Sequence, residues 1–215
     1  MTRVKICGIT CPEDAGAAVA AGADALGFIF APGSPRRVEP GTAAGITAAL
    51  PPFVTTVGVF VDQPLEQMLE VACRCRLHMI QLHGAEPPEL ARRLPLPVIR
   101  AIRVKDETSL AAAAAYPARA FLLDAFVEGR EGGTGRTFPW ELAVLAKPAG
   151  PIILSGGLTP ANVGEAVRRV RPYAVDACSG VECRPGRKDP RKLEEFVAHV
   201  RTADLDAGSR APLAG

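Results

Sequence analysis

The sequence lacks an excess of charge of either sign. Its 215 residues include 25 Lys and Arg against 23 Asp and Glu, a formal net charge of +2, and no long block of like charge. Nucleic acids and anionic membrane surfaces are usually bound through strongly basic patches or segments. We therefore expect neither a nucleic acid nor a membrane as a partner.

Long apolar runs are also missing. Charged residues, Pro and Gly interrupt every apolar stretch well before the roughly 20 residues that a membrane-spanning helix needs. The first ten residues, MTRVKICGIT, do not contain the apolar core of a secretion signal. We expect a soluble, cytoplasmic protein.

The sequence contains no zinc-binding pattern, although it has six cysteines. They are Cys7, Cys11, Cys73, Cys75, Cys178 and Cys183. No pair is accompanied by a second C-x-x-C pair or by the His pair that would complete a tetrahedral site, and the three histidines are scattered. We expect no metal, and we expect most of the thiols to be small buried hydrophobic side chains, because a cytoplasmic chain of this size needs no disulfide.

Apolar residues, by contrast, are plentiful enough for one large core, at 48% of the chain. We expect one domain over residues 1–203. The last twelve residues, 204–215, are polar and rich in small side chains, and we expect them to be a disordered tail.

Runs of β-branched and aromatic residues alternate with stretches of helical period, several of which open with Pro after a capping residue. The predicted strands are Arg3–Cys7, Ala25–Phe30, Phe53–Val61, His78–Leu82, Pro97–Val104, Ala120–Asp124, Pro151–Ser155 and Ala174–Cys178. Eight successive strand–helix units predict an α/β fold, a single (β/α)8 TIM barrel with a parallel eight-stranded core. A doubly wound sheet remains the alternative, because strand order cannot be deduced from sequence.

Two segments near the end of the chain share one pattern. IILSGGLTPANV and AVDACSGVE each pass from an apolar run into a glycine-containing turn before a helix. In a barrel the loops after the last two strands meet, and their free backbone N–H groups suit a phosphate. Ordinary tight turns would show the same glycines. We favour a small phosphorylated substrate as the ligand.

Reactive side chains fall where the predicted strands end, which is where barrel enzymes place their chemistry. They are Cys7, Arg36, Gln81, His83, Asp124, Asp176 and Ser179. A thiol and a carboxylic acid can act as general base and general acid when each pKa moves towards neutrality, from about 8.5 and about 3.9 respectively. Asp176 lies inside a strand pattern and suits a buried partner of Cys7, Asp124 or a backbone group.

Each of these side chains also has a structural explanation. Cys7 can be a core thiol at a strand end, and Asp124 can cap a turn. Arg36 stands beside Arg37, and exposed Arg pairs are usually solvated. His83 suits a supporting or turn position better than a catalytic one.

Seven motifs follow one another along the chain. They are KICGIT, GFIFAPGSPR, VGVF, IQLHG, LLDAF with GGTGRTFPW, ILSGGLTPANV, and VDACSGVE with PGRKD. In their order and spacing they resemble the phosphoribosylanthranilate isomerases, and the resemblance extends to about Val200. The resemblance implies a (β/α)8 barrel that converts N-(5-phosphoribosyl)anthranilate into the 1-deoxyribulose phosphate isomer by an Amadori rearrangement, in tryptophan biosynthesis, without metal or organic cofactor.

The resemblance also implies residue roles. Cys7 matches the general base, Asp124 the general acid, and Arg36 the group that holds the anthranilate carboxylate. The further substrate-binding positions are Gly133, Gly135, Gly156, Gly157, Ser179 and Gly180, with Gln81, His83 and Asp176 as possible supporting residues. One departure is visible: where the family commonly has Ser-Ser-Gly, this chain has Cys178-Ser179-Gly180. We expect a monomer or homodimer.

Three other functions stay open at this point. A histidine-pathway ribonucleotide isomerase shares the barrel but is associated with a carboxylate at the first strand end, where this chain has Cys7. A metal-dependent pentose-phosphate epimerase would need inward His and Asp ligands. A thiol redox or metal-storage protein would account for the six cysteines.

Overall fold

The computed structural model describes residues 1–113, 116–125 and 139–208. Eight parallel strands close into a barrel, because each pairs with the next and the last pairs with the first. The strands are β1 Arg3–Cys7, β2 Ala25–Ile29, β3 Thr55–Phe60, β4 Met79–Leu82, β5 Val98–Val104, β6 Ala120–Ala125, β7 Ile152–Leu154 and β8 Ala174–Ala177. The predicted TIM barrel is confirmed, and the pairing of β8 with β1 rules out the doubly wound alternative.

Helices connect the strands on the outside. They are α1 Pro12–Ala20, α2 Pro40–Ala48, α3 Leu65–Arg74, α4 Pro88–Arg92, α5 Trp140–Leu145, α6 Pro160–Val170 and α7 Pro190–Gly208. Short 3₁₀ helices span Glu107–Ala113, Lys147–Ala149 and Ser179–Val181, and a small antiparallel pair, β9 Glu182–Arg184 and β10 Arg187–Lys188, follows β8. No α-helix long and apolar enough to cross a membrane occurs in the described part of the chain.

Two apolar layers hold the barrel. The larger one lies between strands and helices, and the smaller one fills the barrel interior. The interior layer consists of Val57, Ile99, Ala101, Ala120, Leu122, Ile153 and Ala174. A filled interior confines solvent and chemistry to the rim at the carboxyl ends of the strands.

The last helix is tied to the first residues of the chain, and its length corrects the predicted tail. Asp204 accepts hydrogen bonds from the backbone N–H and the hydroxyl of Thr2, each at 2.7 Å, and α7 continues to Gly208. Polar composition at 204–208 therefore marks an anchored helix end, and the predicted tail begins too early. Residues 209–215 lie outside the described part of the chain.

Candidate active site

A cavity of about 520 Å³ opens at the carboxyl ends of the strands. Its lining includes these predicted site residues: Cys7, Arg36, Gln81, His83, Asp124, Gly156, Gly157, Asp176, Ser179 and Gly180. They come from the ends of six strands and the loops that follow, and the closed parallel barrel brings all of those ends to one rim. The other two predicted positions, Gly133 and Gly135, lie outside the described residues.

Cys7 ends β1 and is 4% exposed. The pKa of its thiol is lowered, first by a hydrogen bond with the Cys178 thiol and then by the charge of Lys5, and these effects outweigh burial. A Cβ on Gly27, in the neighbouring strand, would lie 2.7 Å from Cys7 Sγ. Glycine at that position therefore makes room for the sulfur, and the thiolate is accessible near neutral pH.

Lys5 and Asp176 form an ion pair inside the barrel, directly below Cys7. Lys5 Nζ lies 2.7 Å from Asp176 Oδ1, and the two side chains are 3% and 6% exposed. Burial works to lower the pKa of Lys5, but the charges of Asp176 and Cys7 raise it overall, so Lys5 stays cationic. Ser155 Oγ donates to the other Asp176 oxygen at 3.2 Å. Asp176 is thus buried, as expected, but its partners are Lys5 and Ser155.

Asp124 faces the cavity from β6. Its Oδ1 accepts the backbone N–H of Ala125 at 2.9 Å, and its Oδ2 lies 3.5 Å from His83 Nε2. His83 Nδ1 lies 2.9 Å from the amide nitrogen of Gln81. When that amide donates to Nδ1, the imidazole proton is on Nε2 and faces Asp124. Gln81 and His83 therefore support the carboxyl group.

Arg36 is held by a carboxylate that the sequence patterns did not single out. Nε and Nη2 of Arg36 lie 2.9 and 2.8 Å from the two oxygens of Glu182, a side-on bidentate pair. Burial raises the pKa of Glu182, but Arg36 and Lys188, whose Nζ is 3.0 Å from Oε1, lower it overall. Within the described residues, Nη1 of Arg36 has no hydrogen-bond partner, so the outer edge of the guanidinium can still hold a ligand.

The loops after β7 and β8 touch each other. Gly156 and Gly157 have φ of +79° and +66°, and a Cβ on Gly180 would lie 1.9 Å from the carbonyl oxygen of Leu158. The backbone N–H groups of Gly157, Ser179 and Gly180 donate to no other residue that the structure describes. Three unpaired donors on two abutting loops can bind an anion.

The β7 loop is fixed from its helix. The backbone N–H of Thr159 donates to Asn162 Oδ1 at 2.8 Å, and Asn162 Nδ2 donates to the carbonyl oxygen of Gly157 at 3.0 Å. These bonds tie the first turn of α6 to the glycine turn. The turn is therefore preorganised before any ligand arrives.

Sequence patterns missed Lys5, Glu182 and Lys188. The available signal was a charged residue inside or next to an apolar run: Lys5 in RVKIC and Glu182 after SGV. Such residues are almost never buried without a partner. Their presence indicates internal ion pairs, but the partner of each can be identified only in the folded barrel.

Comparison with known proteins gives a consistent result. The family described as N-(5'phosphoribosyl)anthranilate (PRA) isomerase matches residues 4–199. N-(5'-phosphoribosyl)anthranilate isomerase of Geobacter metallireducens is 55% identical over 201 residues, covering 94% of this chain and 100% of the relative. The protein of that name from Moorella thermoacetica is 53% identical over 206 residues, covering 95% of this chain and 92% of the relative.

Solved structures agree with these sequence matches. The phosphoribosyl anthranilate isomerase of Thermotoga maritima has a TM-score of 0.89 and 44% identity, covering 94% of this chain and 100% of that chain. A phosphoribosyl anthranilate isomerase in complex with reduced 1-(o-carboxyphenylamino)-1-deoxyribulose 5-phosphate has a TM-score of 0.85 and 42% identity, with the same coverage.

Proposed function

The chain belongs to the family of N-(5′-phosphoribosyl)anthranilate isomerases, and we propose that Cys7 and Asp124 perform the proton transfers of its reaction. The reaction converts N-(5′-phosphoribosyl)anthranilate into 1-(2-carboxyphenylamino)-1-deoxyribulose 5-phosphate by an Amadori rearrangement, a step of tryptophan biosynthesis. The observation that carries the assignment is that a thiol of lowered pKa and a carboxyl group line one cavity from different strands.

Asp124 is the general acid. Opening the furanose ring requires a proton on the ring oxygen, which a neutral carboxyl group can donate. The N–H of Ala125 donates to Oδ1 and His83 Nε2 lies 3.5 Å from Oδ2, so these two neighbours orient the carboxyl group for the transfer. Ring opening produces a Schiff base at the substrate's own nitrogen.

Cys7 is the general base. The Schiff base withdraws electrons and acidifies the C2′ hydrogen, and the Cys7 thiolate removes that proton. The charge of Lys5 stabilises the thiolate before the transfer. The enolamine that forms reaches the ketone by tautomerisation. Because the substrate nitrogen takes the developing charge, this route uses no metal ion.

The two ends of the substrate are held separately. Glu182 fixes Arg36 along one edge, which leaves the Nη1 edge to form two parallel hydrogen bonds with the anthranilate carboxylate. The N–H groups of Gly157, Ser179 and Gly180 hold the phosphate. This division positions the reacting sugar carbons between Cys7 and Asp124.

We infer a monomer or homodimer that works in the cytoplasm, as biosynthetic enzymes of this kind do in bacteria. The Thermotoga maritima relative is described as a dimer from which monomers were generated. Sedimentation of the purified chain, with and without substrate, distinguishes the two states.

The function is tested by following the loss of phosphoribosylanthranilate fluorescence upon addition of the purified chain. Turnover is expected for the native chain and for Cys73→Ala, a control at an exposed cysteine of α3. Cys7→Ala and Asp124→Asn should turn over slowly. Equal turnover by all four proteins would contradict the proposed roles, and no turnover by any would contradict the function.

A further inference from the structure

The strand register places Cys178 directly beside Cys7. β1 and β8 are parallel, with Lys5 opposite Asp176 and Ile6 opposite Ala177. Continuing this register by one position, just past the end of β8, brings Cys178 opposite Cys7. Residues two apart on a strand share a face. Since Lys5 and Asp176 meet inside the barrel at 2.7 Å, the two thiols meet on the same inner side, one layer closer to the rim.

The spacing of neighbouring strands permits a bond between the two sulfurs. Adjacent strands lie about 4.8 Å apart, within the roughly 4.4–6.8 Å between Cα atoms that a disulfide requires. The Cys178 side chain lies near enough to Cys7 to lower the pKa of that thiol, and both residues line one cavity. A small approach of the side chains is therefore enough, without rebuilding the barrel.

The two thiols have complementary chemical states. Their mutual hydrogen bond and the charge of Lys5 lower the pKa of Cys7, whereas the same hydrogen bond and burial raise the pKa of Cys178. Cys7 is therefore the thiolate that attacks an oxidant, and Cys178 is a neighbouring thiol that can attack the product. Both line the cavity that receives the substrate, so a small oxidant has the same route of entry.

We propose that Cys7 and Cys178 form a peroxide-reactive dithiol whose disulfide reversibly switches the enzyme off. The Cys7 thiolate attacks a hydroperoxide oxygen, so that an S–O bond forms, the O–O bond breaks and an alcohol or water leaves with a proton. Cys178 sulfur then attacks Cys7 sulfur, its proton leaves with the hydroxyl group as water, and the S–S bond forms. Two thiols lose two electrons and one peroxide gains them.

The disulfide has a clear consequence for catalysis. A sulfur bonded to Cys178 cannot take a proton, and a dithiol reductant restores it. This loss of activity rests on the proposed role of Cys7 as the base, whereas formation of the bond does not. Cys178 additionally protects Cys7 from further oxidation to the irreversible sulfinic acid.

The experiment treats the full-length chain with hydrogen peroxide and then blocks the remaining thiols with an alkylating agent. We expect a peptide map to show a Cys7–Cys178 cross-link, and turnover should fall in proportion to the cross-linked fraction. Addition of dithiothreitol to the oxidised enzyme should raise its turnover at least about ninefold. Cys73→Ser, at an exposed cysteine of the same chain, should behave identically.

Cys178→Ser is the discriminating variant, with each protein normalised to its own untreated activity. Prolonged peroxide should inactivate it irreversibly and add two oxygen atoms to Cys7, whereas the native chain recovers. Absence of the cross-link, or equal recovery of the two proteins, would overturn the proposal and leave the role of Cys7 in catalysis intact. A complete cross-link with full turnover would overturn both the switch and the role of Cys7 as the base.

Discussion

Arg36 and Glu182 are joined side-on, with Nε and Nη2 of the guanidinium 2.9 and 2.8 Å from the two carboxylate oxygens. The side chains are 13% and 4% exposed, so the pair is largely shielded from water. A guanidinium held along one edge has a fixed plane, and its outer edge is therefore oriented before a ligand binds. This relationship links the loop after β2 to the segment after β8.

Arg36→Met tests whether Arg36 binds the anthranilate carboxylate. The substitution removes the outer edge but keeps much of the stem, so substrate binding should weaken by about 1.5–3 kcal/mol, the range for a hydrogen bond to a charged group. The loss in kcat should be smaller. KM for phosphoribosylanthranilate and the inhibition constant of inorganic phosphate are measured in parallel, and only the first should change.

The double variant Arg36→Met with Glu182→Gln is the control for that experiment. In the single variant the buried Glu182 carboxylate keeps only Lys188 as a charged partner, which costs stability. The double variant also takes the carboxylate away from the buried Lys188, so it should be less stable than Arg36→Met, and it should not recover KM. If KM is unchanged in Arg36→Met, or if phosphate binding weakens as much as substrate binding, another residue must bind the anthranilate carboxylate. Arg37 is then the first candidate.

Cys7→Ala and Asp124→Asn should each lower kcat by on the order of 10² or more, the usual scale for a general acid or base. Cys7→Ser should also be poor, because a hydroxyl group is a far weaker base. Circular dichroism should show an intact fold in each. Near-full turnover by either variant would make that residue structural. If that variant is Asp124→Asn, Asp176 would be the next acid to test.

The pH dependence of kcat/KM reports the base in the free enzyme. A base must be deprotonated, so a lowered pKa preserves activity towards lower pH, and activity is lost as pH falls through that pKa. With the pKa of Cys7 at about 6, the acid limb should lie well below the ordinary thiol value of about 8.5. Cys178→Ala removes a hydrogen-bond partner of Cys7 and should shift the limb upward; an unmoved limb would show that Cys178 does not tune Cys7.

The contact between the loops after β7 and β8 predicts that Gly180→Ala weakens phosphate binding. A Cβ there would meet the Leu158 carbonyl oxygen at 1.9 Å, so the loops must separate and the affinity for inorganic phosphate should fall at least tenfold. Gly45→Ala, in α2 with nothing within 4 Å of the new Cβ, is the matched control. It should keep phosphate affinity and gain about 0.5–1 kcal/mol of stability. Equal phosphate affinity in both variants would contradict the proposal that these two loops bind the phosphate.

Cys178→Ser should change phosphate affinity by less than about 1 kcal/mol, because backbone N–H groups are expected to supply most of the hydrogen bonds. Titration of a product analogue into both forms measures this. A tenfold gain for the serine form would show that the hydroxyl contributes and that the cysteine weakens the site.

Exhaustive chelation should leave turnover unchanged. The described residues contain no cluster of three or more His, Cys, Asp or Glu side chains able to hold a metal ion, and the proposed route uses the substrate nitrogen as the electron sink. The assay compares chelated enzyme with and without added divalent metals. Recovery only upon metal addition would contradict the mechanism.

The sequence by itself determined the repeating elements and the rim residues. β-branched runs, Pro at helix starts and Gly after strands are local signals, and they placed Cys7 at the end of β1 and Asp124 near the end of β6. Eight such units were enough to predict the barrel, because few other architectures bury eight successive strand–helix units around one core. Family motifs then indicated the role of each rim residue.

Only the tertiary structure decided which charged and thiol groups meet. Lys5 and Asp176 are 171 positions apart, and Arg36 and Glu182 are 146 apart. Cys7 and Cys178 become neighbours through the same β1–β8 register. No local pattern encodes these pairs, because closing the barrel brings the first strands and their loops beside the last strand and the segment that follows it. The pKa of the thiol therefore follows from the closure of the sheet.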